Sequence, residues 1–336
     1  MQFPIYTIFM SYSFFGTCAN DHEQFFICLE TIISQTIQPK ELILVDSGTF
    51  DIKDKIQEKI ANKNISLIYI FQKLPRVKAL NVAINHSSSK ISCRFDSRSR
   101  FDNNYAKNVL MIFNDRSIDA KVVGGSPNII CENKNFESIL SSGLIKRSYI
   151  FFYPNHRKSN FNGYSSSVYL GCFDTKILKE IKYRDSVNLI SEDSLIIYDF
   201  LKQGYKTFIS SKVKISYVSR TSFFKTIKLF NNYGYCRAST ILMTKNLFLS
   251  MRHLRVSLIF LIISLLLIKK SFSFLFLLPL FLFLFNLIGE LFTNSDKRSI
   301  LFPICGTLCQ LAWIVGFIWK ILTIFKSREK NTNFIS

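Results

Sequence analysis

The stretch Cys93-Arg94-Phe95-Asp96-Ser97-Arg98-Ser99-Arg100 decides how this chain is read. The segment Lys90 to Asp96 is strand-like, and it stops on a carboxylate that is followed two positions later by an arginine. In a parallel sheet, ligands bind outside the carboxyl ends of the strands. A strand that ends on Asp96 therefore presents a charge at such a rim. A solitary Asp-x-Arg also fits a solvated surface turn, so the flanking sequence has to decide.

Outward from that stretch, Glu41-Leu42-Ile43-Leu44-Val45-Asp46-Ser47-Gly48 reads as a short buried strand that also stops on a carboxylate, with a glycine turn after it. Further strands are predicted over Ile5 to Phe15, ending in Ser11-Tyr12-Ser13, and over Ile65 to Phe71, Lys121 to Gly125 and Val168 to Phe173. Helical spacing covers Glu23 to Gln35, Ile52 to Ile60, Val77 to Ile84 and Asn104 to Phe113. Strand and helix alternate, the signature of an α/β fold with a mainly parallel sheet. From Glu132 to Asn162 the pattern is weak, and a long irregular stretch in a compact domain is often a binding loop. Leu189-Ile190-Ser191-Glu192-Asp193-Ser194-Leu195 places two acids at the start of an apolar helix running to about Leu201. Ser191 suits its N-cap, and the acids suit the positive end of its dipole.

The last quarter is different. Val256 to Ile268, Ser271 to Gly289 and Ile300 to Trp319 carry no charge, and the latter two approach the ~20 residues that cross a bilayer core. Phe274 to Phe285 is almost wholly Phe and Leu, with no polar face for water. The formal net charge is +20. Much of the basic excess flanks these segments, at Lys245, Arg252, Arg255, Lys269, Lys270, Lys320, Lys326, Arg328 and Lys330. That placement points to an anionic membrane surface and not to nucleic acid. Positive-inside counting favours two spans, and a third over Val256 to Ile268 stays open. Met1 to Phe15 lacks a basic n-region and a cleavage site, so the first 250 residues or so are expected in the cytoplasm. No Cys-x-x-Cys pair occurs among the eight cysteines, which are read as small hydrophobes. Glu290, directly after the second segment, is the one charge that could lie within the membrane, which weighs against a channel or transporter.

Several segments, in order, resemble the family 2 glycosyltransferases of the GT-A fold, and most closely the membrane-anchored succinoglycan and exopolysaccharide biosynthesis subgroup. They are Gln35-Thr36-Ile37-Gln38-Pro39-Lys40 running into the Glu41–Gly48 strand, Lys78-Ala79-Leu80-Asn81-Val82-Ala83-Ile84, Arg94-Phe95-Asp96-Ser97-Arg98 and Val123-Gly124-Gly125. Glu192-Asp193, Arg220-Thr221-Ser222-Phe223 and Tyr233-Gly234-Tyr235-Cys236-Arg237 continue the likeness.

The resemblance implies a GT-A-type nucleotide-sugar-binding domain over residues 1–219, amphipathic interfacial helices over 220–253, a membrane region over 254–326 and a basic tail over 327–336. It implies inverting transfer of a sugar from a nucleotide-diphosphate donor to a lipid-linked saccharide acceptor, in surface polysaccharide biosynthesis. The setting implied is the cytoplasmic membrane of a bacterium, with the catalytic domain facing the cytoplasm. Asp193 falls at the position of the general base. Ser11 and Asp46 fall at the nucleobase and ribose contacts, and Lys78, beside Arg76, at the phosphates. Asp96 falls at the first site for a divalent metal, Mg2+ or Mn2+. Glu192, Arg220, Tyr233 and Arg237 fall at acceptor or interface positions. The subgroup's second metal residue is His, whereas this chain has Arg98, which has no lone pair to give. Two alternatives stand beside the metal. In one, Arg98 itself supplies the positive charge. In the other, the chemistry has decayed and the chain is a catalytically inactive membrane scaffold.

Overall fold

The computed structural model describes residues 10–147, 160–185, 192–244, 277–292 and 299–332. In chain order the elements are β1 (Tyr12–Cys18), α1 (His22–Ile33), β2 (Glu41–Asp46), α2 (Lys53–Ile60), β3 (Ser66–Phe71), α3 (Arg76–His86) and β4 (Ile91–Asp96). There follow β5 (Ser99–Phe101), α4 (Tyr105–Asn114), β6 (Val122–Gly124), β7 (Pro127–Ile130), α5 (Phe136–Lys146), β8 (Gly163–Tyr164), β9 (Cys172–Asp174) and α6 (Thr175–Ile181). The chain continues with α7 (Glu192–Lys202), β10 (Thr207–Ile209), β11 (Ile215–Val218), α8 (Phe223–Thr244), α9 (Leu277–Leu291) and α10 (Leu301–Thr332). Two compact units result, one built on the sheet, the other containing α5, α8, α9 and α10.

In the first unit an eight-stranded sheet runs β3-β2-β1-β4-β9-β6-β10-β8. β1, β2, β3 and β4 are parallel neighbours, while β9 lies antiparallel between β4 and β6. The chain leaves β1 toward β2 and β3, then returns to place β4 on the other side of β1. That reversal is a switch point at the carboxyl ends of β1 and β4, the place where α/β sheets take their ligands. Side chains alternate across the sheet. Leu42 and Leu44 of β2, with Cys93 and Phe95 of β4, join the core built on α1 and α4. Ile43 and Val45 join the opposite core, against α3 and α7.

Among the described residues the first strand runs on past the Phe15 at which its sequence suggests an end. It runs Tyr12–Cys18, carried through Gly16 by its pairing with β2 and β4, so tertiary context overrides a weak local preference. Ile5 to Phe9 of the expected strand lie outside the described residues, as do Ser191 and the apolar segment Val256 to Ile268. The strand expected over Val168 to Phe173 shortens to Cys172–Asp174, because Leu170 turns with φ 57°. The weakly patterned region after Glu132 contains helix α5, capped by the Asn135 side chain.

In the second unit, α9 has 15 residues, about 22 Å of helix against a hydrocarbon core of about 30 Å. Leu301–Thr323 of α10 is 23 residues of mean hydropathy 1.9, the one candidate span among the described residues. α8 packs along α10, with Phe230, Gly234, Cys236 and Ala238 buried. A Cβ on Gly234 would come 1.9 Å from the Trp313 carbonyl oxygen, and one on Gly316 2.0 Å from that of Asn231. Two glycines therefore set the α8–α10 approach. Glu290 of α9 is buried against Arg147, with both carboxylate oxygens accepting guanidinium hydrogen bonds of 2.7 Å.

Gly316→Ala is expected to overpack this crossing at a cost of about 1–3 kcal/mol. The check is the melting temperature of the detergent-solubilised protein, which falls in the variant.

Candidate active site

On β4, Ser92, Arg94 and Asp96 share one face and Ile91, Cys93 and Phe95 the other. Among the described residues Arg94 is the largest side chain with less than 2% exposure. A guanidinium stripped of water requires counter-charges in contact with it. They come from α7: Nη2 of Arg94 donates to Glu192 at 2.9 Å, and Nη1 pairs with Asp193. Asp96, two residues along the same strand, lies 3.5 Å from Nη2. Tyr183 completes the enclosure, its ring 5.5 Å from the Arg94 guanidinium. Asn81 holds Tyr183 there by hydrogen-bonding both its backbone N–H and its carbonyl, at 2.9 and 2.8 Å.

A second arginine closes the cluster. Arg76, first residue of α3, donates through Nη2 to both oxygens of Asp96 at 2.8 and 3.0 Å. Its Nε is 2.7 Å from Glu192. Burial opposes ionisation of Asp96 and Glu192, yet Arg76 and Arg94 hold both carboxyls below their usual range. Asp193 goes the other way. Desolvation pushes it up to about 6, and Glu192 and Asp96 add to the rise against the pull of Arg94. Its side chain keeps 42% of its surface open, whereas that of Glu192 keeps 6%. The cluster thus presents one accessible carboxylate, poised near neutral pH, over a locked base of charge.

Asp46 ends β2 on the opposite face, fully buried. It accepts from the Gly48 N–H at 2.8 Å and the Tyr69 hydroxyl at 3.0 Å, and lies 3.2 Å from His22 Nε2. Beyond β1, Asp21 takes hydrogen bonds from Ser97 and from the Cys18 thiol, tying the rims of β1 and β4 together.

The structure brings Asp96, Glu192 and Asp193 into one cluster. Ser11 is exposed at the amino end of β1, where its backbone and side chain meet Ile91 and Lys90. A strand that starts at Tyr12 puts Ser11 at the pole of the sheet away from Asp46 and Asp96, so Cys18 to Asp21 occupies the rim position expected of it. Lys78 is exposed and 3.8 Å from Asp185, and Arg76 is the basic residue of α3 that reaches the acids. Glu192 is a buried counter-charge to Arg94 and Arg76. Arg98 lies half-buried in the tight turn between β4 and β5. Arg220 precedes α8, and Tyr233 and Arg237 lie on α8, all half-buried in the second unit. Sequence reasoning gave Arg94 no role, although a charge inside an apolar strand was the signal for it. His22 and Asp21 left no such signal.

A divalent ion at Asp96 does not fit this donor set. Both Asp96 oxygens accept from Arg76, Glu192 is shared by two guanidinium groups, and Arg98 brings no lone pair. Among the described residues the grouping whose donor atoms could hold a metal is Cys18, His22 and Asp46, at the other rim position.

No family model matches the chain. Over 235 residues it is 27% identical to a dolichyl N-acetyl-alpha-D-glucosaminyl phosphate 3-beta-D-2,3-diacetamido-2,3-dideoxy-beta-D-glucuronosyltransferase of Methanococcus voltae, covering 66% of this chain and 71% of that protein. A mannosyltransferase from Pyrobaculum calidifontis, solved with GDP-Man and Mn2+, matches with a TM-score of 0.56 at 12% identity, over 92% of this chain and 87% of that one. The fold is a glycosyltransferase fold. Its sequence relative is also a glycosyltransferase.

Arg94→Met leaves the three carboxylates with Arg76 alone, and is expected to cost about 3–5 kcal/mol of stability at pH 7. In the native protein, Asp96 and Glu192 ionise more easily folded than unfolded, so their contribution is present above the ordinary carboxylate range and fades as pH falls. In the variant that dependence reverses, and melting curves at pH 7 and pH 5 should show the deficit shrinking with acid.

Proposed function

We propose that this chain is an inverting glycosyltransferase of family 2 that uses a nucleotide-diphosphate sugar and a lipid-linked acceptor. The observation that carries the reading is Asp193, an open carboxylate raised to about 6 beside the Arg94 cluster, at the carboxyl end of β4 in a glycosyltransferase fold. A base with a pKa near the working pH both holds its deprotonated form and accepts a proton readily. In the proposed step, the acceptor hydroxyl oxygen forms a bond to the anomeric carbon on the face opposite the leaving group. The bond from that carbon to the diphosphate oxygen breaks, and its electron pair leaves with the nucleoside diphosphate. Asp193 takes the hydroxyl proton. Arg94 holds the Asp193 carboxylate in place, and Glu192 keeps Arg94 neutralised. No step passes through a metal ion.

The lipid-linked acceptor is supported by the Methanococcus voltae relative, which is named for a dolichyl-linked sugar phosphate. It is supported too by the apolar helix Leu301–Thr323, since tethering a catalytic unit to a bilayer raises the effective concentration of a membrane-bound substrate. We place the chain in a cytoplasmic membrane, catalytic unit on the cytoplasmic side, building surface polysaccharide. Asp46 with His22, at the carboxyl end of β2, is proposed to meet the nucleobase and ribose. Arg220, Tyr233 and Arg237 are proposed to serve the acceptor side.

Asp193→Asn in the detergent-purified protein is expected to lower transfer by about 10²–10⁴-fold while donor binding persists. Wild-type turnover should rise with pH through an acid limb near 6, because the base works only when ionised. Full activity in Asp193→Asn would remove the carboxylate from the mechanism. Silence of every nucleotide sugar, with no nucleotide binding, would return the chain to the scaffold reading.

A further inference from the structure

The two arginines differ in one respect. Arg94 is sealed in the core, but the Arg76 side chain keeps 48% of its surface open. Its hydrogen bonds to Asp96 use Nη2 and its approach to Glu192 uses Nε, and Nη1 makes no hydrogen bond among the described residues. Arg76 is also the first residue of α3, an 11-residue helix that follows Pro75, and a helix amino terminus favours a bound anion. An open amino group with two more donors, fixed at that terminus by two carboxylates, is ready for a phosphate oxygen. A divalent ion on Asp96 would meet two guanidinium charges already against the same carboxylate.

We propose that Arg76 occupies the place of a divalent cation, holding Asp96 in the free protein and turning Nη1 onto the diphosphate when a nucleotide sugar binds. This rests on the nucleotide-sugar reading above. It moves the charge that neutralises the departing diphosphate from the β4–β5 turn at Arg98 to the start of α3. As the glycosidic bond breaks and the diphosphate gains charge, Arg76 supplies the compensating positive charge without a change in its own protonation.

The test has two arms on the detergent-purified full chain. In the first, Mn2+ binding is followed by electron paramagnetic resonance with no nucleotide present. Arg76→Met removes one positive charge from beside Asp96, so Mn2+ is expected to bind about tenfold tighter or more than to wild type, and Asp96→Asn added to it should abolish the gain. In the second, calorimetry in chelator compares UDP and GDP with uridine and guanosine. Arg76→Met is expected to weaken whichever diphosphate binds by about 10–100-fold and to leave its nucleoside unchanged. Arg76→Lys keeps the charge but loses the two-pronged hold on Asp96, so it should fall between the two in both arms, and it serves where Arg76→Met fails to fold. Tight Mn2+ binding by wild type that is lost in Asp96→Asn and indifferent to Arg76 would overturn the proposal. A diphosphate affinity indifferent to Arg76 would overturn it as well. Failure of wild type to bind UDP or GDP would count against the nucleotide reading alone, because the Mn2+ arm still decides the role of Arg76.

Discussion

A guanidinium buried in the middle of a sheet strand constrains everything around it. Arg94 has no exposed surface, and nothing short of paired carboxylates makes such a position tenable. The start of α7 answers with Glu192 and Asp193, the loop after α6 packs Tyr183, pinned by Asn81, against it, and Arg76 of α3 balances the excess of acids. These pieces are far apart in sequence, and Arg94 is what requires them to meet. The result is a division of labour among like groups: two carboxylates locked in their ionised form, and a third raised and left open. Separating carboxylate pKa values by environment is how one site obtains both fixed charge and a working base.

The second unit solves a related problem with different means. Its helices are apolar over most of their length, yet they bury Glu290 against Arg147 and join Asn286 to Thr307 and Gln310 between α9 and α10. The Arg147 guanidinium also lies 3.2 Å from the centre of the Phe302 ring. These polar groups placed among apolar helices are matched, as an apolar setting demands. Glu290 therefore acts as a structural clamp in this unit.

Much of the sheet was legible because burial leaves a plain mark. β2 and β4 are short apolar runs closed by Asp46 and Asp96, and α1, α3 and α4 carry helical spacing that the packing confirms. The misses have physical causes. β1 runs on through Gly16 and Thr17, which local preference marks poorly, and Ser11 precedes it. α5 holds Ser141, Ser142 and Gly143, weak helix formers that packing within the second unit rescues. The carboxylates Asp96 and Asp193 were readable as candidates, but their partners were not, because an ion pair across 99 residues leaves no local pattern. Arg76 and Lys78 looked equivalent in sequence, and only the direction of α3 separates them.

The most direct measurement is an experimental structure of the full chain with a bound nucleoside diphosphate. The diphosphate is expected at the carboxyl ends of β1 and β4, within hydrogen-bond distance of Arg76. Arg94 is expected still sealed between Glu192 and Asp193, and Asp193 open toward the space beside the phosphates. A diphosphate bound away from these strand ends, or an Arg94 that leaves its carboxylates to hold the ligand, would contradict this account.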